Sequence, residues 1–213
     1  MQAHARQGRL HIAALRLQLR AEQGLGNWRE VARLARQLEK HRGLTPEQAA
    51  PICQRARREV LLEMRNDLPA LRRYWGELDN AERTQAALAN IAAKAMIAGG
   101  ASREAQAVIE DALEENWDSD LVAVYADCHG GEVTGRLARA EKWLQQHPRD
   151  SILLLVLGRL CVEQQLWGKA RSFIEASLSV RAARATHLEL ARLLDRLEES
   201  ALAARHYRSA ALL

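Results

Sequence analysis

A chain of 213 residues, 48% hydrophobic and 27% charged, is long enough to bury a sizeable core and fits one or two domains. Only 4 Pro and 12 Gly punctuate a background of Ala, Leu, Arg, Glu and Gln, which excludes a collagenous, disulfide-dense or wholly disordered chain and favours helix throughout. The net charge is +4, every basic residue except Lys40, Lys94, Lys142 and Lys169 is Arg, and the longest apolar run, Ile152 to Leu157, is far too short to cross a bilayer.

In chain order, Arg and Gln run through the first twenty residues, so no signal-peptide pattern opens the sequence. Residues 10–43 read as a helix pair turned at Gly26-Asn27. Gly43-Leu44-Thr45-Pro46 is a stop followed by a start, with Thr45 as N-cap and Pro46 as first helical residue. Residues 45–78 read as two helices, the second after Asp67, and Gly76 with Asp79-Asn80 marks a break near 78–85. Residues 86–119 turn at Gly99-Gly100-Ala101-Ser102. A degenerate pair follows at 117–150, with an unusual turn at Cys128-His129-Gly130-Gly131. After His147-Pro148, Asp150 or Ser151 caps the next helix. Residues 151–184 turn at Gln164-Gln165, and 184–213 complete the series.

One spacing recurs. From Gly158, steps of 12, 4 and 3 lead to Ala170, Ile174 and Ser177. The same steps join Ala191, Ala203, Tyr207 and Ala210, and also Ala93, Ala105, Ile109 and Ala112. A looser copy is Leu19, Val31, Ala35 and Leu38. A small residue in a first helix lets the second helix come close. The residue twelve on sits on the facing side of that second helix, and the next two continue one helical stripe. The unit is similar to the tetratricopeptide repeat, a helix-turn-helix of about 34 residues. The expectation is an all-α, right-handed solenoid of about six antiparallel helix pairs, one domain over 1–213. Its repeats are weaker over 10–78 and clearer over 86–213.

Catalytic signatures are absent: there is no phosphate loop, Gly-x-Gly-x-x-Gly, His-Glu-x-x-His or Gly-x-Ser-x-Gly. Cys53, Cys128 and Cys161 form no Cys-x-x-Cys pair, and read as reduced, small apolar packers in a cytosol-facing chain. No two His share a metal-ligand spacing on one helix, so no metal site is expected. Trp28, Trp75, Trp117, Trp143 and Trp167 read as core anchors. Charge is uneven. Six Arg lie between Arg55 and Arg73 against Glu59, Glu63 and Asp67, whereas Glu104 to Asp120 carries acids and no base. The basic stretch makes nucleic acid an alternative partner.

The residue after the small-residue column is Arg20, Lys94, Arg159 and Arg192 in four copies, and Tyr125 in the degenerate one. In a solenoid of this kind that position faces the inner surface. The expectation is a groove in which a column of cations binds an acidic partner segment, with Tyr125 as an aromatic platform.

Leu166-Trp167-Gly168-Lys169-Ala170-Arg171 precedes Glu175-Ala176-Ser177-Leu178. Upstream lie Leu157-Gly158-Arg159-Leu160-Cys161, His147-Pro148, Glu141-Lys142-Trp143-Leu144 and Asn116-Trp117-Asp118. Together these stretches resemble the HemY family of proteobacteria over about 113–213, and diffusely over 10–112. The resemblance implies a non-enzymatic tetratricopeptide scaffold linked to late haem biosynthesis, with a haem-pathway enzyme as protein partner. It implies anchoring to the bacterial inner membrane through two N-terminal helices that this chain does not contain. A haem or porphyrin, its propionates paired with groove cations, is the one cofactor the resemblance admits; otherwise none is expected.

Overall fold

The computed structural model describes residues 2–129 and 132–213, with side chains from residue 11 onward. Every regular element among the described residues is a helix. The chain divides into two compact units, Met1–Glu82 and Arg83–Leu213.

The first unit contains α1 (Gln2–Leu25), α2 (Trp28–Lys40), α3 (Pro46–Glu63) and α4 (Leu68–Glu77), and ends within the one-turn α5 (Asn80–Arg83), whose last residue begins the second unit. Helix α2 presents Val31, Leu34, Ala35 and Leu38 as one apolar stripe, fully buried against Leu15 and Leu19 of α1 and Cys53 and Ala56 of α3. The start of α3 is the expected one: the Thr45 backbone N–H donates to Gln48 Oε1 at 3.1 Å. Asp67 caps α4, its Oδ1 accepting from the Ala70 N–H at 3.0 Å.

The second unit contains α6 (Ala86–Ala98), α7 (Ser102–Glu115), α8 (Ser119–Tyr125), α9 (Val133–Gln146), α10 (Ser151–Glu163), α11 (Trp167–Val180), α12 (Arg184–Arg196) and α13 (Ser200–Ala211). Hairpins form at α6–α7, α10–α11 and α12–α13. The first helices also pack on one another in series, α6 on α8, α8 on α10 and α10 on α12. The second helices α7 and α11 pack on the first helix that follows each of them, and α9 on α10.

The 12-4-3 positions form the core of this arrangement. All of them are buried except Tyr207. At Gly158 the reason for a small residue is direct, because a Cβ there would stand 2.4 Å from Ile174 Cγ1. Tyr207 departs from the pattern: it is 39% exposed and its hydroxyl donates to Asp195 at 2.7 Å. The degenerate repeat also differs from a regular pair. Helix α8 has only seven residues and ends at Tyr125, after which the chain turns at Ala126–Asp127. Gly130 and Gly131, part of the expected turn, lie outside the described residues.

The hairpin turns share one backbone device, a left-handed residue just before the second helix. Gly26 (φ 76°) and Gly100 (φ 77°) supply it without strain, but Gln165 (φ 58°) and Glu198 (φ 62°) fill the same place with a side chain. Gln165→Gly is therefore expected to leave the melting temperature unchanged or raise it. Gln165→Val should cost about 1–2 kcal/mol, since a β-branched residue tolerates this region worst. Thermal melts of the two variants check the ordering.

Candidate partner-binding surface

Within the second unit, α6, α8, α10 and α12 form a continuous layer, and the predicted groove residues of this unit belong to it. Lys94 is exposed and makes no ion pair among the described residues. Arg159 Nη2 stands 2.8 Å from Asp127 Oδ1, and its Nε lies 4.0 Å from Glu189 Oε1. Arg192 Nη1 reaches the same Glu189 oxygen at 3.0 Å. Asp127, Arg159, Glu189 and Arg192 thus make one cluster of alternating sign across α10, α12 and the end of α8. A bare column of cations does not describe it, because Asp127 and Glu189, outside the repeat spacing that located the Arg residues, come back to pair with them. Arg20 is exposed on α1 and belongs to the first unit.

Tyr125 is not an aromatic platform in a groove. It is fully buried, and its hydroxyl donates to Glu110 Oε1 at 2.5 Å. Burial pushes its pKa up, and the hydrogen bond to the Glu110 carboxylate pushes the same way. Its ring instead begins an internal aromatic chain. Tyr125 meets Trp143 edge-on at 4.9 Å, Trp143 meets Trp117 at 5.8 Å, and Trp117 stacks on His147 at 3.8 Å and 11°.

That chain is tied to the start of α10 by Asp150, which is the cap. Its Oδ1 accepts from the Ile152 and Leu153 N–H groups, and its Oδ2 from Trp117 Nε1 at 2.9 Å and Ser119 Oγ at 2.5 Å. Burial works against the Asp150 charge, but the hydrogen bonds from Ser119, the α10 backbone and Trp117 hold its carboxyl below the usual carboxylate range. The capping role was legible in Pro148-Arg149-Asp150; the tie to Trp117 and Ser119, more than thirty residues upstream, was not.

Two further groups escaped sequence reasoning. Arg136 of α9 is fully buried, and its Nη2 lies 3.0 Å from both carboxylate oxygens of Glu163. Its Nε and Nη1 have no partner among the described residues. Nearby, burial pushes the Cys128 thiol up to about 12, against the pull of Arg136. All three cysteines are buried and free, as expected of small packers. The second group is a histidine pair: His187 Nδ1 and His206 Nδ1 stand 2.9 Å apart across the α12–α13 hairpin. The repeat carries a signal for it. His187 lies four residues before Ala191 and His206 three after Ala203, so both sit one turn from the packing column and face each other.

Burial, with His187 beside it, holds the His206 pKa below 6.5; Glu175 opposes and Arg171 adds to the shift. The unfolded chain therefore binds this proton at a higher pH than the folded one. Stability attributable to His206 is complete above about 6.5 and is lost as pH falls towards the lower folded value. The melting temperature is expected to decline between pH 7.5 and 5.5, and His206→Gln should flatten that decline. A decline that persists unchanged in the variant would assign it to other groups.

Among the described residues, no group of three or more His, Cys, Asp or Glu is placed to hold a metal ion, and no helix is long and apolar enough to cross a membrane. No family model matches the chain, and no curated protein matches it in sequence. Solved structures do. The MamA RS-1 ArsTM double mutant is similar over 74% of this chain and 92% of its own, at 15% identity and a TM-score of 0.51. The APC/C hetero-tetramer Cut9-Hcn1 is similar over 96% of this chain, at 16% identity and a TM-score of 0.53; the match spans 46% of that chain. Both are helical repeat proteins of the tetratricopeptide type, and the chain shares that fold class.

Proposed function

We propose that the chain is a non-enzymatic scaffold that docks a protein partner on the α6–α8–α10–α12 layer. The observation that carries this reading is the composition of the layer's charges. Lys94 is uncommitted, while Arg159 and Arg192 share Glu189, with Arg192 exposed and Arg159 and Glu189 half-buried. The Arg192–Glu189 pair, open to solvent on the Arg192 side, contributes about 0–1 kcal/mol. A partner carboxylate can therefore take over an Arg fork at small cost, and the released Asp127 or Glu189 is free to meet a partner cation. The layer suits a partner segment of mixed but predominantly acidic sign, bound with salt sensitivity. The resemblance to HemY proteins supports a late haem-biosynthesis enzyme as that partner, at the bacterial inner membrane.

The test is a quantitative pull-down from bacterial membranes with the wild-type chain and with Lys94→Glu/Arg192→Glu. Both side chains are exposed, so helicity and melting should hold while partner recovery falls about tenfold or more. Equal recovery by the two forms would remove this layer as the docking surface. Absence of haem-pathway enzymes among proteins lost on reversal would remove the partner assignment alone.

A further inference from the structure

The first unit holds a concave site that the docking reading does not use. Helix α2 carries Arg29, Arg33 and Arg36 at positions i, i+4 and i+7, one face of the helix. Helix α3 packs on α2 and brings Arg57 to the same place. These four arginines, with Tyr74 and Glu77, line a solvent-open cavity of about 280 Å³.

The internal carboxylates do not use up these donors. Glu82 serves two of the four, pairing with both Arg36 and Arg57, while its second oxygen accepts from the Asp79 N–H at 3.1 Å. Arg33 is turned towards Glu30, at 2.7 and 2.5 Å, and Gln37. Arg29 has no carboxylate in hydrogen-bond range: Glu77 lies 4.0 Å away, and the guanidinium rests over the Tyr74 ring at 5.0 Å. Four cations thus face Glu30, Glu77 and Glu82. Most of the N–H donors of Arg29, Arg36 and Arg57 remain open.

Two features separate this from a solvated basic face. The Arg57 side chain is only 10% exposed, so one wall of the cavity is a guanidinium already desolvated and fixed by Glu82. Tyr74 is buried and its hydroxyl makes no hydrogen bond among the described residues. The field of Arg57, Arg29 and Arg36 reaches that hydroxyl, opposing the upward pull of burial on its pKa.

We propose that this cavity is an anion site that takes the phosphoryl group of a small phosphorylated molecule. Arg29, Arg36 and Arg57, from two helices, border this one cavity, and a phosphoryl group, with three oxygens on one centre, can accept from all three forks where a carboxylate offers two oxygens. The cavity has room for a phosphoryl group and a small part of what carries it.

The test is titration calorimetry of the full chain with inorganic phosphate and with pyrophosphate at constant ionic strength, with succinate as the carboxylate probe. The expected result is saturable binding of the phosphates at one site and binding of succinate at least about tenfold weaker. Arg29→Gln/Arg36→Gln should weaken phosphate binding about tenfold or more while melting is retained, since both side chains are more than half exposed and Arg57 still neutralises Glu82. Should that variant melt early, Arg29→Gln alone provides the comparison. Arg205→Gln/Arg208→Gln on α13 removes the same charge elsewhere and should bind phosphate as the wild type does. Non-saturable phosphate uptake, equal loss in the α13 control, or succinate binding as tight as phosphate would each overturn the proposal. None of these outcomes bears on partner docking, which concerns the other unit.

Discussion

Glu82→Ala is expected to destabilise the Met1–Glu82 unit by about 3–5 kcal/mol. Glu82 is 5% exposed and, among the described residues, is the carboxylate paired with Arg57, itself 8% exposed. Removing it leaves a guanidinium in the wall of the core with its desolvation uncompensated. The change also breaks the local lock of α5, in which the Glu82 N–H donates to Asp79 Oδ1 at 2.8 Å and the Asp79 N–H donates back to Glu82. Removing both charges, as Glu82→Leu with Arg57→Met, should recover most of the loss, because a buried ion pair and a well-packed apolar pair differ little in net free energy. Denaturant melts of the single and double variants check this. An additive double variant would mean that the two residues do not act as a pair.

Gly158→Leu is expected to destabilise the second unit by at least about 1–3 kcal/mol. A Cβ at this position would already stand 2.4 Å from Ile174 Cγ1 and 3.4 Å from the Ala170 carbonyl oxygen. The side chain of Ile174 can turn away, but the backbone of α11 cannot, so a leucine forces α10 and α11 apart. Gly76→Ala, with nothing within 4 Å of its added Cβ, is the matched control and should be close to neutral or stabilising. Paired thermal melts give the comparison.

How much of this was legible beforehand follows from which interactions repeat. The columns through Ala93, Gly158 and Ala191 were readable because every unit meets the same steric demand, and a demand met several times leaves a period. Thr45 and Asp150 were readable as caps because capping is local, and Asp67 was readable as the point after which a helix starts. Tyr125 was misread for the same reason that the period was found. A repeat register places a residue on a face, but α8 stops after seven residues and turns this side chain inward towards Glu110 and Trp143. The pairing of Arg159 with Glu189, and of Arg36 and Arg57 with Glu82, depends on contacts between helices that no spacing encodes, whereas Arg192 and Glu189 are an i,i+3 pair within α12. Glu82 did leave a trace, the Asp79-x-x-Glu82 spacing of a capping box. The trace pointed to a helix start and not to a buried acceptor for two arginines. The His187–His206 contact was encoded, since both positions are fixed relative to the packing column.

We propose the first-helix layer of the second unit as the place where a partner docks. Site-specific photo-crosslinking tests it most directly, with a photoreactive residue placed in cells either at Lys94, on that layer, or at Asp111, exposed on the second helix α7. A discrete crosslinked protein is expected from position 94, competed away as salt is raised, and none from position 111. Crosslinks of equal yield from both positions, or from position 111 alone, would contradict it.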